Sequence, residues 1–310
     1  MRAWSLLLVG AWAAAGPSLA QAPPMIRLKV PPDAPVDSIQ YTTRLLSPAE
    51  LASVAPMFES MPTDPYLETV SRTRRFGKYL IHHLRDTALP IDLEYKGNHF
   101  IQTGAYNDLV RAGKMALVRK YTEHAREFFH TAAVQRILQH YIRSMLSMGA
   151  APDVAWELGL HAVRLTAPGA VTPEGVHRDG YHFVLSTVIA RHGVEGGHSF
   201  VHTSKKEPPL LDVPMSAGDS LLINDRAVFH SVSNVTAVPG FATGHRDVIL
   251  VTARPWPTNA AGELIDDVAD AQLALLEGAI EVPAPDGQTN EAAGFFRLLC
   301  ARLSRAFAKL

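Results

Sequence analysis

Between residues 156 and 256, short apolar runs rich in β-branched residues alternate with turn-formers, and no helical period intervenes. Runs at 160–166, 181–190, 198–203, 219–224, 227–232 and 246–253 read as strands. Pro168-Gly169, Gly196-Gly197, Pro208-Pro209, Gly218-Asp219 and Pro239-Gly240 separate them. Short strands at this spacing, with no helices between, argue an antiparallel sandwich or barrel.

Upstream the texture is helical. Ser47-Pro48-Ala49-Glu50 reads as a capping box with proline at the first helical position, opening a helix that runs to Phe58. The longest helical region is 107–148. In its second part Val134, Ile137, Leu138, Tyr141, Ile142 and Met145 share one face, Gly149 ends it, and that face is expected on a sheet. The predicted fold is therefore α+β: a β core at about 156–256, helical support at about 40–150, and a C-terminal extension at 257–310. Within that extension a helix is expected near 262–279, and an amphipathic one over 291–310 with a solvated basic face.

Composition removes several classes. With 47% hydrophobic and 19% charged residues the chain is not wholly disordered. Its single cysteine, Cys300, cannot make an internal disulfide, and a net charge of −1 gives no electrostatic case for nucleic-acid binding. Nothing in the sequence sets an oligomeric state. No stretch is long and apolar enough to span a membrane. Residues 1–24 combine a secretory pattern with a proline-rich lead: Arg2, an apolar run from Ala3 to Ala15, then Ser18-Leu19-Ala20 as a cleavage site after Ala20. Met25 offers an alternative start, which leaves 25–256 as the main domain.

Chemistry concentrates at His177-Arg178-Asp179. Residues i and i+2 of a strand share a face, so an imidazole and a carboxylate can meet at one point. His230 follows 51 residues after Asp179, polar among apolar neighbours. Two histidines and one carboxylate on one face of an octahedron leave three positions open, the facial triad of non-haem Fe(II) oxygenases. Structural zinc would want a fourth ligand, and no cysteine pair supplies one. Arg246 opens a strand 16 residues after His230 and can grip a carboxylate bidentately. Arg254 shares its face but lies at the far strand end, so Arg246 is preferred.

These motifs resemble the Fe(II)/2-oxoglutarate-dependent dioxygenases. The match is carried by Pro173-Glu174-Gly175-Val176-His177-Arg178-Asp179-Gly180, Gly196-Gly197, Gly218-Asp219, Phe229-His230-Ser231 and Gly244-His245-Arg246-Asp247. More narrowly they resemble the bacterial branch of isoleucine-dioxygenase-like free amino acid hydroxylases. The resemblance implies a double-stranded β-helix (jelly-roll) core, Fe(II) held by His177, Asp179 and His230, and 2-oxoglutarate held by Arg246. It also implies O2 as oxidant, succinate and CO2 as products, and hydroxylation of an unactivated C–H of a small-molecule substrate. Asp179 argues for hydroxylation, since related halogenases leave that ligand position free for halide. Because Fe(II) and 2-oxoglutarate are cytosolic metabolites, the chemistry favours the cytoplasm over the local export pattern.

Two rival readings stand beside this one. A cupin-type metal enzyme would want HxH with a following glutamate, and a non-catalytic β-barrel binding domain would make the histidines incidental. His182, His198, His202 and His245 read as surface or supporting residues. Arg164 is the one charge in an apolar strand, so it either binds a substrate carboxylate or pairs with a core aspartate. With Glu174 for the ammonium group, Arg164 forms the expected amino acid clamp; a solvated turn is the alternative for Glu174.

Overall fold

The computed structural model describes residues 25–26, 38–67, 71–84, 90–102, 106–113, 118–241, 243–259 and 261–265. The secretory pattern, most of the proline-rich lead and the helix expected over 291–310 lie outside them. So does all of the 262–279 helix except residues 262–265, which sit in a turn and a Thr258–Leu264 bridge.

The first half contains β1 (Met25–Ile26), β2 (Ile39–Thr42), α1 (Pro48–Val54), β3 (Arg72–Ile81), β4 (Glu94–Tyr95) and β5 (His99–Ile101). It continues through α2 (Asp108–Arg111), β6 (Val118–Lys120), α3 (Arg126–His130) and α4 (Ala132–Ser147). Among the described residues from 156 onward every element is a strand: β7 (Trp156–Thr166), β8 (Phe183–His192), β9 (Val194–Gly196), β10 (Ser199–His202), β11 (Leu211–Val213), β12 (Ser220–Asn224), β13 (Phe229–Val232), β14 (Val235–Ala237) and β15 (His245–Pro255).

An eight-stranded sheet runs β1-β2-β12-β8-β15-β7-β3-β4, and a three-stranded sheet runs β11-β10-β13. The pairs in both are antiparallel. Alternation along each strand assigns the two faces of the large sheet. Leu158, Leu160 and Ala162 of β7, with Ile249, Val251 and Ala253 of β15, pack in one core with α1 and α4. His161, Val163 and Leu165, with Val248, Leu250 and Thr252, turn instead to a cavity between the sheets.

Helix α4 matches the periodicity. Val134, Ile137, Leu138, Tyr141, Ile142 and Met145 are fully buried, and burying each such side chain contributes roughly 1.5–3 kcal/mol. It ends in a Schellman motif: Gly149 takes φ 89°, Ala150 N–H donates to Met145 O, and Gly149 N–H donates to Leu146 O. The Ser47 capping box forms as expected, Glu50 N–H reaching Ser47 Oγ and Ser47 N–H reaching Glu50 Oε2.

The expectation of helical support over 40–150 needs correction. Residues 107–148 are not one helical region, because β6 and the short α2 and α3 break the part before α4. More consequentially, Arg72–Ile81 forms a ten-residue strand in the large sheet. Its inward residues, Arg72, Arg74, Phe76 and Lys78, are mostly charged, which hides the apolar alternation that marks a half-buried strand.

Candidate metal centre and cavity

Asp179 and the two histidines converge as the spacing predicts, although not on a regular strand. His177 makes a single antiparallel bridge to His230 of β13, and Asp179 lies in the irregular chain that follows. Gly180 has φ 86°, a left-handed turn toward β8, and a Cβ there would meet the Tyr106 ring. His177 Nε2 lies 3.5 Å from Asp179 Oδ1, and His230 Nε2 lies 3.5 Å from Asp179 Oδ2. One ligand atom from each residue lies within 4.8 Å of the others.

Both outward nitrogens face an acceptor, in a hydrogen bond at His177 and in ion-pair contact alone at His230. His177 Nδ1 is 2.9 Å from Gly175 O, and His230 Nδ1 is 3.3 Å from Asp225 Oδ1. An acceptor on Nδ1 fixes the proton there and aims the Nε2 lone pair inward, the arrangement of metal-bound histidines. The donor set therefore fits a divalent metal with open positions. Without a metal the two rings can each take a second proton, on Nε2: burial then works against charge, yet hydrogen bonds from His177 and His230 hold Asp179 well below the usual carboxylate range. Asp179 and Asp225 in turn push His230 up to about 10 despite its burial.

Asp225 was invisible in the sequence reading. Its carboxylate, 1% exposed, accepts from the backbone N–H groups of Asp179, Gly180 and Tyr181 at 2.8–3.3 Å while facing His230. It sits in the turn after β12, where aspartate is common, so only proximity reveals the role.

Arg246 lines the same cavity. The residue is 2% exposed, and neither Nε nor Nη2 has a hydrogen-bond partner. Its cross-strand neighbour on β8 is Arg191, another cation. Burial, then Arg191, lowers the Arg246 pKa to about 10. A buried guanidinium without a counter-charge is a site for an anion. Arg254 differs: its Nη2 donates to both oxygens of Glu157 at 3.0 and 3.1 Å, so its charge is already matched.

Glu174 lines the cavity, its Oε1 3.6 Å from His177 Nε2 and within reach of Asn107 Nδ2 at 3.4 Å. Arg164 is a correction. Its neighbours His161, Val163 and Leu165 line the cavity, whereas Arg164 points to the other face of β7. There Asp247 accepts from its Nε and Nη2 at 2.7 and 2.8 Å, and Glu59 from Nη2 at 2.8 Å. The core-aspartate alternative describes Arg164, and it takes no part in the amino acid clamp. None of His182, His198, His202 and His245 joins the triad; they contact Arg226, Asp212, the Glu207 carbonyl and Asp247.

Comparisons with known proteins bear on the family and the fold. Residues 55–252 match the family model for 2OG-Fe dioxygenases. A bsmA homologue from Methylobium petroleophilum PM1 superposes with a TM-score of 0.59 at 22% identity, covering 72% of this chain and 91% of that one. IDO from Bacillus thuringiensis superposes with a TM-score of 0.54 at 16% identity, covering 71% and 94%. At these identities the likeness is one of fold. No curated protein matches the chain in sequence. The family match sets aside the cupin-type and non-catalytic readings.

Proposed function

This chain belongs to the 2OG-Fe dioxygenase family, and from that premise we propose that it hydroxylates a free amino acid at an unactivated C–H, as in the isoleucine-dioxygenase-like branch its motifs resemble. In this reading His177, Asp179 and His230 hold the Fe(II), and Arg246 holds the far carboxylate of 2-oxoglutarate. The chain is an oxidoreductase, and its family works with Fe(II), 2-oxoglutarate and O2. The bound metal and co-substrate supply oxidative decarboxylation coupled to hydroxylation.

The protein's part is binding and orientation. The Gly175 carbonyl holds the His177 imidazole with Nε2 inward, and the Asp225 carboxylate faces the outer nitrogen of His230. Arg246 supplies a fixed fork for one end of a dicarboxylate. The two antiparallel sheets are read as the walls of a double-stranded β-helix, and their apolar residues keep water from the reacting atoms.

The observation that carries the reading is the pairing of the triad with an unpartnered, buried Arg246 in one cavity. The test is anaerobic addition of Fe(II) and then 2-oxoglutarate, watching for a visible metal-to-ligand charge-transfer band, followed by a screen of the twenty amino acids for succinate formed above the uncoupled background. Failure of the band removes the iron and co-substrate roles. A band with no stimulation by any amino acid removes the substrate class alone. We also assign the enzyme to the cytoplasm, where its co-substrates are supplied; a native chain beginning at Gln21 would overturn that.

A further inference from the structure

Arg164 is tied to Asp247 on the far face of β7, and Arg246 serves the co-substrate in the reading above. A substrate carboxylate therefore needs a different cation. Strand β3 supplies one. Arg72 and Arg74 alternate onto the inner face of the large sheet, and both line the cavity at 8% and 9% exposure. Arg72 is matched, its Nε donating to the buried Asp64 at 2.8 Å. Arg74 is not. Among the described residues no carboxylate pairs with it, and its buried Nε has no hydrogen-bond partner.

The groups that hold Arg74 carry no negative charge. Its Nη2 lies 2.6 Å from His161 Nδ1. Arginine has only donors, so His161 accepts at Nδ1 and carries its proton on Nε2. Burial first, then the charge of Arg74, holds the His161 pKa well below its usual value. Phe76 packs on the His161 ring at 4.5 Å and fixes the acceptor. The Arg74 guanidinium carbon lies 5.3 Å from the centre of the Phe100 ring and 4.7 Å from that of Tyr121. These aromatic faces support the cation without using its N–H edge. A buried guanidinium held only by neutral groups still calls for an anion.

This position is distinct from that of Arg246. Arg74 stands opposite Val163 and Arg246 opposite Leu165, on the two flanks of β7. Their backbones are two strand spacings apart across the sheet, about 10 Å. Resting on the free amino acid reading above, we propose that Arg74 receives the α-carboxylate of that substrate on the guanidinium edge that carries the unpartnered Nε–H. A carboxylate neutralises the cation and gives Nε its acceptor. A carboxamide brings no charge and only one acceptor oxygen, so Arg74 selects free acids over their amides.

The experiment is anaerobic calorimetric titration of the protein loaded with Fe(II) and 2-oxoglutarate. The titrants are the twenty free amino acids, then the α-carboxamide of each one that binds. Each acid that binds does so tenfold or more tightly than its α-carboxamide. R74Q erases that preference and leaves 2-oxoglutarate binding unchanged; R74K restores part of it, since lysine returns the charge but not the planar fork. Equal binding of acid and amide overturns the proposal, as does a preference that survives in R74Q. Loss of 2-oxoglutarate binding in R74Q overturns it too, by moving Arg74 to the co-substrate. Should R74Q not fold, R74K decides, and a preference there equal to that of the wild type overturns the proposal. The two readings fail differently. If 2-oxoglutarate binds and no amino acid does, the free amino acid reading fails and the Arg74 assignment with it; if an amino acid binds without a preference that depends on Arg74, only the Arg74 assignment fails.

Discussion

His177 and His230 exchange both backbone hydrogen bonds of an antiparallel pair, each N–H reaching the other's carbonyl at 2.9 Å. That bridge brings the ring centres to 4.4 Å. The two imidazoles are therefore positioned by main chain, and replacing either side chain leaves the scaffold intact. His177→Ala and His230→Ala should each lose Fe(II) binding with little change in melting temperature, and Asp179→Ala should lose binding as well. Metal analysis after anaerobic loading, beside circular dichroism melts, checks this. Near-normal iron in any one variant removes that residue from the site.

Asp225 holds the triad from behind. Asp225→Asn keeps one acceptor oxygen for the backbone N–H groups of Asp179, Gly180 and Tyr181, but it removes the charge facing His230. Outer carboxylates of this kind typically contribute about 10–100-fold to metal affinity. Fe(II) affinity should fall by that order while the protein remains folded. An unchanged affinity in a competition titration against a chelator would mean that the charge of Asp225 does not act on His230.

Arg246 and Arg254 share β15 and should fail in opposite ways. Arg246→Ala should raise the 2-oxoglutarate requirement tenfold or more, since a charge-assisted contact is worth roughly 1.5–3 kcal/mol, and should leave Fe(II) binding intact. Arg254→Ala leaves Glu157 buried without its partner, so the loss, about 3–5 kcal/mol, should appear in stability. Denaturant unfolding together with the 2-oxoglutarate KM separates the two. The reverse pattern would move the co-substrate site to Arg254.

The site was more legible in the sequence than the fold around it. His177, Asp179 and His230 are chemically distinctive and their spacing points to one cluster, although Asp179 follows in irregular chain and not in the strand that alternation assumes. Strand β3 escaped because that logic expects apolar residues inside, whereas three of the four inward residues from Arg72 to Lys78 are charged. Asp225 escaped because a turn aspartate looks ordinary until its acceptors are seen stapling a segment 44–46 residues away. Arg164 drew attention as a lone charge in an apolar strand, yet its partner, Asp247, sits directly opposite on β15, a register that no local pattern carries.

That register makes Arg164 a stability residue. Arg164→Ala should destabilise by about 3 kcal/mol, the lower end for breaking a buried pair, because His245 still faces Asp247 at 3.7 Å. The KM for the amino acid substrate should not move, since the side chain lies on the far face of β7. A large KM rise with unchanged stability would return Arg164 to the substrate clamp.

His124 gives the fold an acid limit. Its Nε2 lies 3.0 Å from Leu160 O, and its ring stacks on Phe128 at 4.2 Å. Burial, aided by the charge of Arg75 and opposed by the Leu160 hydrogen bond, lowers its pKa from 6.5 to about 4. The unfolded chain therefore binds more protons than the folded one between these values. The His124 contribution is present in full above about pH 6.5, falls as the medium is acidified, and is gone below about pH 4. At about 1.4 kcal/mol per pKa unit, the loss over this window is of order 3 kcal/mol. His124→Gln retains a donor for Leu160 O and does not titrate. Between pH 7 and pH 4 its unfolding free energy should fall by about 3 kcal/mol less than that of the wild type. Parallel urea titrations at the two pH values measure the difference, and equal losses in both proteins would show that His124 is protonated in the folded state.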